Sequence, residues 1–424
     1  MLVVLIVCTF FMALGFANKA RCLNGQFNAR AYGDQCYNDL QPLFGIRLFA
    51  DVNQDGVTER VFPYIHGERD ETVNELRDGA IEYPVLTGVF MWASSLPVDN
   101  GDDYLRISAI LLAPFGLLIA YHLARMARWR ALMWSAAPAL ILYAFHNWDF
   151  LVVAAAVGVI YAWWRGSPMW AALLFGVGAA FKMYPIFFLG PLFLELLLSR
   201  QPKRAFQAAT VGVGTLAAIN LPFALINFDG WIATYTFHQD RGANFDSMWC
   251  AMKDMCLSSG WTPDQLNTIT AALTGGFFIA ILAASVLIAR KRGTYPFVQT
   301  CGALLATFLL FNKVHSPQYT LWLLPFVVLI GNRVVAWVGW ALYAVADVAV
   351  YWGIFQWFSD YASSDFPTSE KVMLVGIWAR AALLLGFVIF FVLSRPGHEP
   401  PEDPAGRTAP LQPPPLEGAA AAQV

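Results

Sequence analysis

Long apolar runs separated by short polar breaks make up most of the chain. A transmembrane helix needs about 20 consecutive apolar residues, and runs of roughly this length recur along the sequence. They cover residues 1–17, 104–124, 131–146, 149–164, 168–182, 185–198, 206–226, 266–289, 294–311, 318–331, 334–357 and 372–394. The pattern predicts an all-α polytopic membrane protein with about 12 transmembrane helices, and the shorter runs predict that some helices are tilted, broken or re-entrant.

The first run, Met1 to Ala17, has no basic residue before it and no clear small-x-small cleavage site after it. These features favour an uncleaved first helix, and a removed signal peptide is the alternative. Both interpretations leave the polar segment that follows on the outer side of the membrane.

Two polar segments are too long to be simple turns between helices. Residues 18–103 are net acidic and predict an extracytoplasmic first loop with short helices, one of them over Thr72–Ala80. Residues 227–265 predict a second large loop on the same side. Residues 1–394 are therefore predicted to form a single membrane-embedded domain. Residues 395–424, rich in Pro, Ala and Gly, are predicted to be a disordered cytoplasmic tail.

Basic residues and chemically varied residues fall in alternate breaks. Lys and Arg in short loops stay in the cytoplasm, and a count of twelve places one set of basic residues on that side: Arg125, Arg128, Arg130, Arg165, Arg200, Lys203, Arg204, Arg290, Lys291, Arg292, Arg333 and Arg395. The opposite breaks carry His, Asn, Asp and aromatic residues. The sequence thus predicts a multi-pass plasma-membrane protein with an extracytoplasmic site and a cytoplasmic C-terminus.

Composition supports this class of protein. Of the 424 residues, 58% are hydrophobic and only 13% are charged, against about one quarter charged in soluble domains. The net charge of -2 excludes a nucleic-acid binder that relies on bulk charge.

The six cysteines fall into two groups. Cys8 and Cys301 lie inside apolar runs and are expected to be packing residues. The two pairs Cys22 with Cys36 and Cys250 with Cys256 lie in the large outer loops, where an oxidising compartment permits disulfides. A Cys22–Cys36 bond would tether the backbone just before Asp39.

Asp39 and several cations are predicted to share the outer face of the membrane. A fixed carboxylate can act as a general base toward an acceptor hydroxyl, and cations can stabilise a departing phosphate. This combination suits a sugar donor attached to a lipid phosphate. Each residue also has a structural alternative, since Asp39 and Asp149 could cap helices and Lys182 and Lys313 could be anchors at helix ends.

The order of motifs resembles the polyprenyl-phosphate-dependent glycosyltransferases of the GT-C type, specifically glycosyltransferase family 87. The residues that carry the resemblance are Tyr37-Asn38-Asp39, Glu82-Tyr83-Pro84, Phe181-Lys182-Met183-Tyr184-Pro185 and Lys313-Val314-His315-Ser316-Pro317-Gln318-Tyr319. The family often has Ser-Asp where this chain has Asn38-Asp39. The resemblance implies a GT-C-like fold and a donor that is a polyprenyl-phosphate sugar, with mannose or arabinofuranose as the sugar.

The resemblance also implies an inverting transfer to a glycolipid or cell-envelope glycan. Asp39 would deprotonate the acceptor hydroxyl. The donor phosphate would bind Lys182, Lys313, His315 and Arg241. The acceptor would meet Glu82, Tyr83, His146, Asp149, Tyr184, Gln318 and Tyr319.

One stretch has the opening spacing of a calcium loop, with oxygen ligands at Asp51, Asn53 and Asp55. The position of the closing Glu is taken by Phe62. A polar turn is therefore the favoured interpretation and Ca²⁺ the alternative, and the proposed chemistry requires no cofactor.

A transporter or flippase of a lipid-linked or amphiphilic substrate is the main alternative from another class, and a structural scaffold is a third. Transporters usually carry buried charges near the bilayer midplane and often show internal repeats. Here the polar clusters lie at helix ends and the two halves show no convincing repeat, which favours an enzyme.

Overall fold

The computed structural model describes residues 1–25, 27, 30–51, 57–252, 260–330, 334–360 and 367–394, most of them helical. In chain order its helices are α1 (Leu2–Ala20), α2 (Arg30–Gly33), α3 (Leu40–Arg47), α4 (Val85–Ser95), α5 (Gly101–Ala127), α6 (Leu132–Ser135), α7 (Pro138–Tyr143), α8 (Asp149–Trp164), α9 (Pro168–Phe181), α10 (Leu189–Leu198), α11 (Pro202–Ile226), α12 (Phe228–Asp240), α13 (Met248–Ala251), α14 (Pro263–Arg292), α15 (Phe297–Phe311), α16 (Thr320–Ile330), α17 (Val334–Asp360) and α18 (Pro367–Leu393). Short 3-10 turns occupy Arg128–Ala131, Tyr184–Phe188 and Pro317–Tyr319.

The prediction of a polytopic membrane protein is confirmed. Six helices of the described chain are long and apolar enough to cross a membrane, namely α1, α5 with the segment that continues it, α11, α14, α17 and α18. Six further apolar helices of the described chain contain 10 to 17 residues, which is shorter than a full crossing requires. The predicted number of 12 crossings therefore stays a prediction.

The run at 131–146 is not the single helix that its composition predicts. It folds as α6 and α7, which are separated at Ala136 and Ala137. Pro138 begins α7 and has no backbone N–H, and a residue before proline avoids the helical region. Ala137 accordingly has an extended backbone, with ψ of 134°. The broken segment brings His146 and Asn147 to the same end of the molecule as Asp39.

The first loop contains short helices, as predicted, but it also contains two β-hairpins. Strand β1 (Phe49–Ala50) pairs with β2 (Glu59–Arg60), and β3 (Glu68–Asp70) pairs with β4 (Glu75–Arg77), both antiparallel. The helix predicted over Thr72–Ala80 is therefore wrong. Asp70 accepts hydrogen bonds from the backbone and hydroxyl of Thr72, which favours a turn over a helix. The positive φ angles of Asn74 and Asp78 exclude a regular helix there.

The core lies around α8, α15 and α16, where nearly every residue is buried. These helices are apolar on all sides, as expected for helices enclosed by others. By contrast, α11 and α14 bury few residues and present apolar side chains outward. The inner helices end together, and their ends bring the polar breaks of the sequence to one place.

A disulfide bond joins Cys22 to Cys36, with the two Cα atoms 5.7 Å apart. It ties the segment after α1 to the residues just before Asp39. Cys8 and Cys301 are buried free thiols. The predicted Cys250–Cys256 pair includes Cys256, which lies outside the described residues, and it stays a prediction.

Candidate functional site

A cavity of about 780 Å³ opens where the polar breaks meet. Its walls come from the segment before α3, the connection between α7 and α8, the break after α9, the loop after α12, the break after α15 and the end of α17. The structure therefore brings together polar residues that lie far apart in the sequence.

Asp39 lies on the cavity wall at the start of α3. Its side chain makes no capping hydrogen bond within the described chain. The neighbouring Asn38 caps α3 instead, since its Oδ1 accepts the N–H of Gln41 at 3.0 Å. The Asp39 N–H donates to the carbonyl of His146 at 2.8 Å, and its Oδ2 accepts from Asn147 Nδ2 at 2.7 Å. The carboxylate is thus held over the cavity rather than used to cap α3.

The surroundings of Asp39 bring its pKa close to neutral. Burial raises the pKa of Asp39 to about 6, and the hydrogen bond from Asn147 is the largest effect that opposes it. The charge of Lys182 also lowers this pKa, while the charges of Glu82 and Asp149 raise it. A carboxylate with a pKa near 6 is largely ionised at neutral pH and remains a stronger base than an exposed Asp.

Lys182 lies on the cavity wall but is paired with a buried acid. Its Nζ donates to Asp149 Oδ1 at 2.5 Å, and Trp322 Nε1 donates to the same oxygen at 3.1 Å. The ammonium also lies 5.0 to 5.6 Å from the ring centres of Tyr83, Tyr319 and Trp322. Asp149 is only 1% exposed and does not line the cavity. Its place in the structure is therefore that of a partner for Lys182.

Lys313 anchors the segment at the end of α12 and the loop that follows it. Its Nζ donates to the carbonyls of Gln239 and Arg241, each at 2.8 Å, and to Asn267 Oδ1 at 2.7 Å. Its carbonyl accepts the N–H of Asn244 at 2.9 Å. Burial lowers the pKa of Lys313 to about 8. Lys313 lines the cavity, yet these three acceptors match the three protons of its ammonium.

Arg241 lies on the same loop and also lines the cavity. Its Nη2 donates to Asn244 Oδ1 at 2.7 Å, and its guanidinium lies 5.7 Å from the ring centre of Phe237. A guanidinium has five N–H donors, so it can hold this contact and still bind an anion.

The residues expected to contact the acceptor mostly share the cavity. Those that line it are Glu82, Tyr83, His146, Tyr184, Gln318 and Tyr319. Glu82 pairs with Arg47 at 2.8 Å. His146 contributes its carbonyl to Asp39, and burial lowers the pKa of its imidazole, which keeps the ring neutral.

His315 lies behind the wall, next to Tyr319, with 6.0 Å between the ring centres. Its Nδ1 contacts the carbonyl of Leu309 at 2.8 Å. Its Nε2 has no hydrogen-bond partner among the described residues. The phosphate contact predicted for His315 therefore stays a prediction.

The calcium-like stretch cannot be placed, because Asn53 and Asp55 lie outside the described residues. Asp51 follows β1 in the described chain.

Several residues of the site were not predicted as such from the sequence. Asn147 touches both Asp39 and Tyr83, and His238 contacts the carbonyl of Glu82 at 2.7 Å. Lys19, which is completely buried at the end of α1, donates to the carbonyl of Tyr37 at 3.0 Å. Asn147 stood within a polar break and could have been found there. A lone Lys19 at the end of an apolar run gives no such signal.

Known proteins of similar sequence support the predicted glycosyltransferase family. The model for Glycosyltransferase family 87 matches residues 83–312, which is more than half of the chain. The chain belongs to glycosyltransferase family 87. A curated relative of this family 87 chain is GPI mannosyltransferase 1 of Eremothecium gossypii, at 28% identity over 166 residues. That similarity covers 37% of this chain and 41% of the relative's length.

Proposed function

We propose that this membrane glycosyltransferase moves a sugar from a polyprenyl-phosphate donor to a glycolipid or cell-envelope glycan, with inversion at the anomeric carbon. The proposal rests on the residues of one cavity. The Asp39 carboxylate, which caps no helix and has a pKa near 6, lies on one wall, and cations lie on others. The family match begins at Tyr83 and does not reach Asp39, so the role of Asp39 depends on this geometry.

The proposed reaction uses the carboxylate on one wall of the cavity and the cations on the other walls. Asp39 accepts the proton of the acceptor hydroxyl while the hydroxyl oxygen forms a bond to the anomeric carbon. The bond from that carbon to the phosphate oxygen breaks, and polyprenyl phosphate leaves with the electron pair. The proton ends on Asp39 and the negative charge on the phosphate, so cations near the leaving oxygen stabilise the transition state.

Arg241 is the cation best suited to hold the phosphate. The Lys313 ammonium donates to protein acceptors and the Lys182 charge is balanced by Asp149. A guanidinium binds phosphate oxygens in pairs, and Arg241 has donors beyond the one that contacts Asn244. Lys182, on the cavity wall, supplies a second and weaker contact.

Mannose is the better-supported sugar, because the curated relative is a mannosyltransferase by name. Arabinofuranose is the second candidate, from the resemblance noted in the sequence. The acceptor hydroxyl belongs to a carbohydrate, and Glu82, Tyr83, Gln318 and Tyr319 offer it hydrogen bonds and aromatic faces.

The cavity is proposed to face the outside of a plasma membrane. Arg292, at the end of α14, donates to the carbonyl of Ser394 at the end of α18, so these basic and C-terminal helix ends lie together. Basic residues of this kind stay in the cytoplasm. The disulfide near Asp39 fits an oxidising compartment on the other side.

The test is a transfer assay with purified protein in lipid nanodiscs. Polyprenyl-phosphate mannose and polyprenyl-phosphate arabinofuranose, each labelled in the sugar, are offered with a panel of glycolipid and glycan acceptors. We expect transfer by the wild type and a loss of at least about 1,000-fold in kcat for Asp39→Asn, which removes the base and keeps the shape.

Asp39→Asn should also melt at the same or a higher temperature than the wild type, because burial disfavours the charged carboxylate. Asn38→Ala is the matched control, since it removes the side-chain hydrogen bond that caps α3 and leaves the neighbouring base, Asp39, in place. Absence of transfer from both donors to every acceptor would contradict the proposed function. Retention of activity by Asp39→Asn would contradict the role of Asp39 alone.

A further inference from the structure

The side-chain amide of Asn147 connects two residues of the cavity wall. Its Nδ2 donates to Asp39 Oδ2 at 2.7 Å and to the hydroxyl of Tyr83 at 2.8 Å. Its Oδ1 accepts the backbone N–H of Trp148 at 2.6 Å. A backbone N–H can only donate, so this contact decides which amide atom is oxygen and directs both N–H groups at Asp39 and Tyr83.

This arrangement determines which atom of Asp39 is available. The Oδ2 atom accepts from Asn147, which leaves Oδ1 to take a proton from the acceptor hydroxyl. The Tyr37 hydroxyl also interacts with this carboxylate. The adjacent His146 carbonyl holds the Asp39 N–H at 2.8 Å. Two consecutive residues of one connection therefore orient both the backbone and the carboxylate of Asp39.

The same amide also determines the polarity of Tyr83. Because the Tyr83 oxygen accepts from Asn147, its own proton is left for donation. The Tyr83 side chain lines the cavity, and burial raises its pKa, so the hydroxyl stays protonated. Its proton can then be offered to an oxygen of the bound substrate.

We propose that Asn147 is a positioning residue, which directs Oδ1 of Asp39 at the acceptor hydroxyl and turns the Tyr83 hydroxyl into a hydrogen-bond donor for the substrate. The proposal rests on the function proposed above. It assigns no substrate contact to Asn147 itself, so its effect should be seen through Asp39 and Tyr83.

A test through pH must consider every charged or titratable group that acts on Asp39. Those are Lys19, Tyr32, Tyr37, Glu82, Tyr83, Asp149 and Lys182. All of them remain in Asn147 variants, so a change in the titration of Asp39 in such a variant reports the lost hydrogen bond.

The main variant is Asn147→Ala, studied as a pH profile of kcat/KM. The wild type should lose activity as the pH falls through about 6, because protonated Asp39 is no base. Without the hydrogen bond from Asn147, the pKa of Asp39 rises, so this acid limb should move up by about one pH unit. At its optimum, kcat should fall by about 100-fold because Oδ1 is no longer held in place.

Tyr83→Phe is the matched control, since it keeps the bond from Asn147 to Asp39 and removes the hydroxyl. We expect its acid limb to match the wild type, with a loss of about tenfold in kcat/KM from one missing hydrogen bond. If Asn147→Ala does not purify as a folded protein, Asn147→Leu decides. Leucine has nearly the shape of asparagine but donates no hydrogen bond and adds no charge, so the acid limb must again move up.

Infrared spectra provide a readout that needs no transfer. The carboxyl band of Asp39, obtained as wild type minus Asp39→Asn, is titrated in both backgrounds without substrate. A higher titration point in Asn147→Ala supports the positioning role even if no donor is ever turned over. A wild-type titration point in both Asn147 variants, or an unmoved acid limb, would overturn the proposal.

Discussion

Across the cavity, the wall that carries Asp39 and the wall that carries Arg241 hold their side chains by different means. On the carboxylate wall, defined by Asp39, Glu82 and Asn147, each polar side chain is bonded directly to another side chain. On the cation wall, defined by residues 239–246 and Lys313, the Lys313 ammonium donates to two backbone carbonyls as well as to Asn267, and Arg241 donates to Asn244 within its own loop.

This difference matches the part that each wall plays in the proposed reaction. A general base has to be aimed to within a fraction of an ångström, and direct bonds to its carboxylate provide that. A phosphate ligand needs charge at the right place but tolerates some movement of a long side chain. We therefore expect changes on the carboxylate wall to reduce kcat, and changes on the cation wall to raise the KM for the donor.

The largest effect on the cation wall is expected for Arg241→Gln. Removal of a charged donor to phosphate should lower kcat/KM for the donor by about 100-fold, mostly through KM. Steady-state kinetics at fixed acceptor concentration would measure it. Arg69→Gln is the matched control, because Arg69 pairs with Asp240 at 2.7 Å on the same loop and does not line the cavity. Equal kinetics for the two variants would refute the phosphate role of Arg241.

A smaller effect, about tenfold on the donor KM, is expected for Lys313→Met, together with a lower melting temperature because the loop loses its anchor. The pKa of Lys313 near 8 adds a pH signature: its charge disappears as the pH rises through about 8. Wild-type kcat/KM should therefore decline above that pH, and Lys313→Met should lack this alkaline limb.

Asn267→Ala separates the two possible roles of Lys313. Asn267 contacts Lys313 Nζ and also donates to the carbonyl of Gln239 at 2.9 Å, so it supports the loop without any charge. If Lys313 anchors the loop, Asn267→Ala repeats part of its effect. A fully wild-type Asn267→Ala beside an inactive but stable Lys313→Met would instead show that Lys313 binds the phosphate directly.

The smallest effect is expected for the double variant Cys22→Ser with Cys36→Ser. Closure of this short loop should contribute about 3 kcal/mol to stability. Activity should fall only a few-fold, since His146 and Asn147 still hold Asp39. Thermal melting and the transfer assay, each with and without reductant, would measure both. Cys8→Ala, at a buried free thiol, is the control. A loss of activity as large as in Asp39→Asn would mean that the disulfide, not Asn147, orients the base.

Much of the fold could be predicted because the bilayer imposes strong limits on sequence. Apolar runs must be helical in lipid, since their backbone groups find no other partners. The run at 131–146 does not form one continuous helix, because it is enclosed by protein, where a proline break is tolerated. The β3–β4 hairpin in the first loop depends on turn residues such as Asp70 and Asn74, whose signal is local and weak.

The residues that form the site could be predicted from the sequence better than the role of each residue. Polar residues are excluded from the lipid core, so they collect at helix ends, and the pattern of breaks predicts which ends belong together. The pairing of these side chains could not be predicted in the same way. Lys313 meets Asn267, and Asp149 meets Trp322, across large distances in sequence. Those partners decide whether a charge serves the ligand or the protein, and only the folded structure brings them together.

The buried Lys19 links the segment that carries Asp39 to α17. Its ammonium joins the Tyr37 carbonyl, next to the Asp39 segment, to the hydroxyl of Tyr351 in α17. With 27 residues, α17 is long enough to cross a bilayer. One buried ammonium thus connects a membrane-spanning helix to the backbone two residues before Asp39.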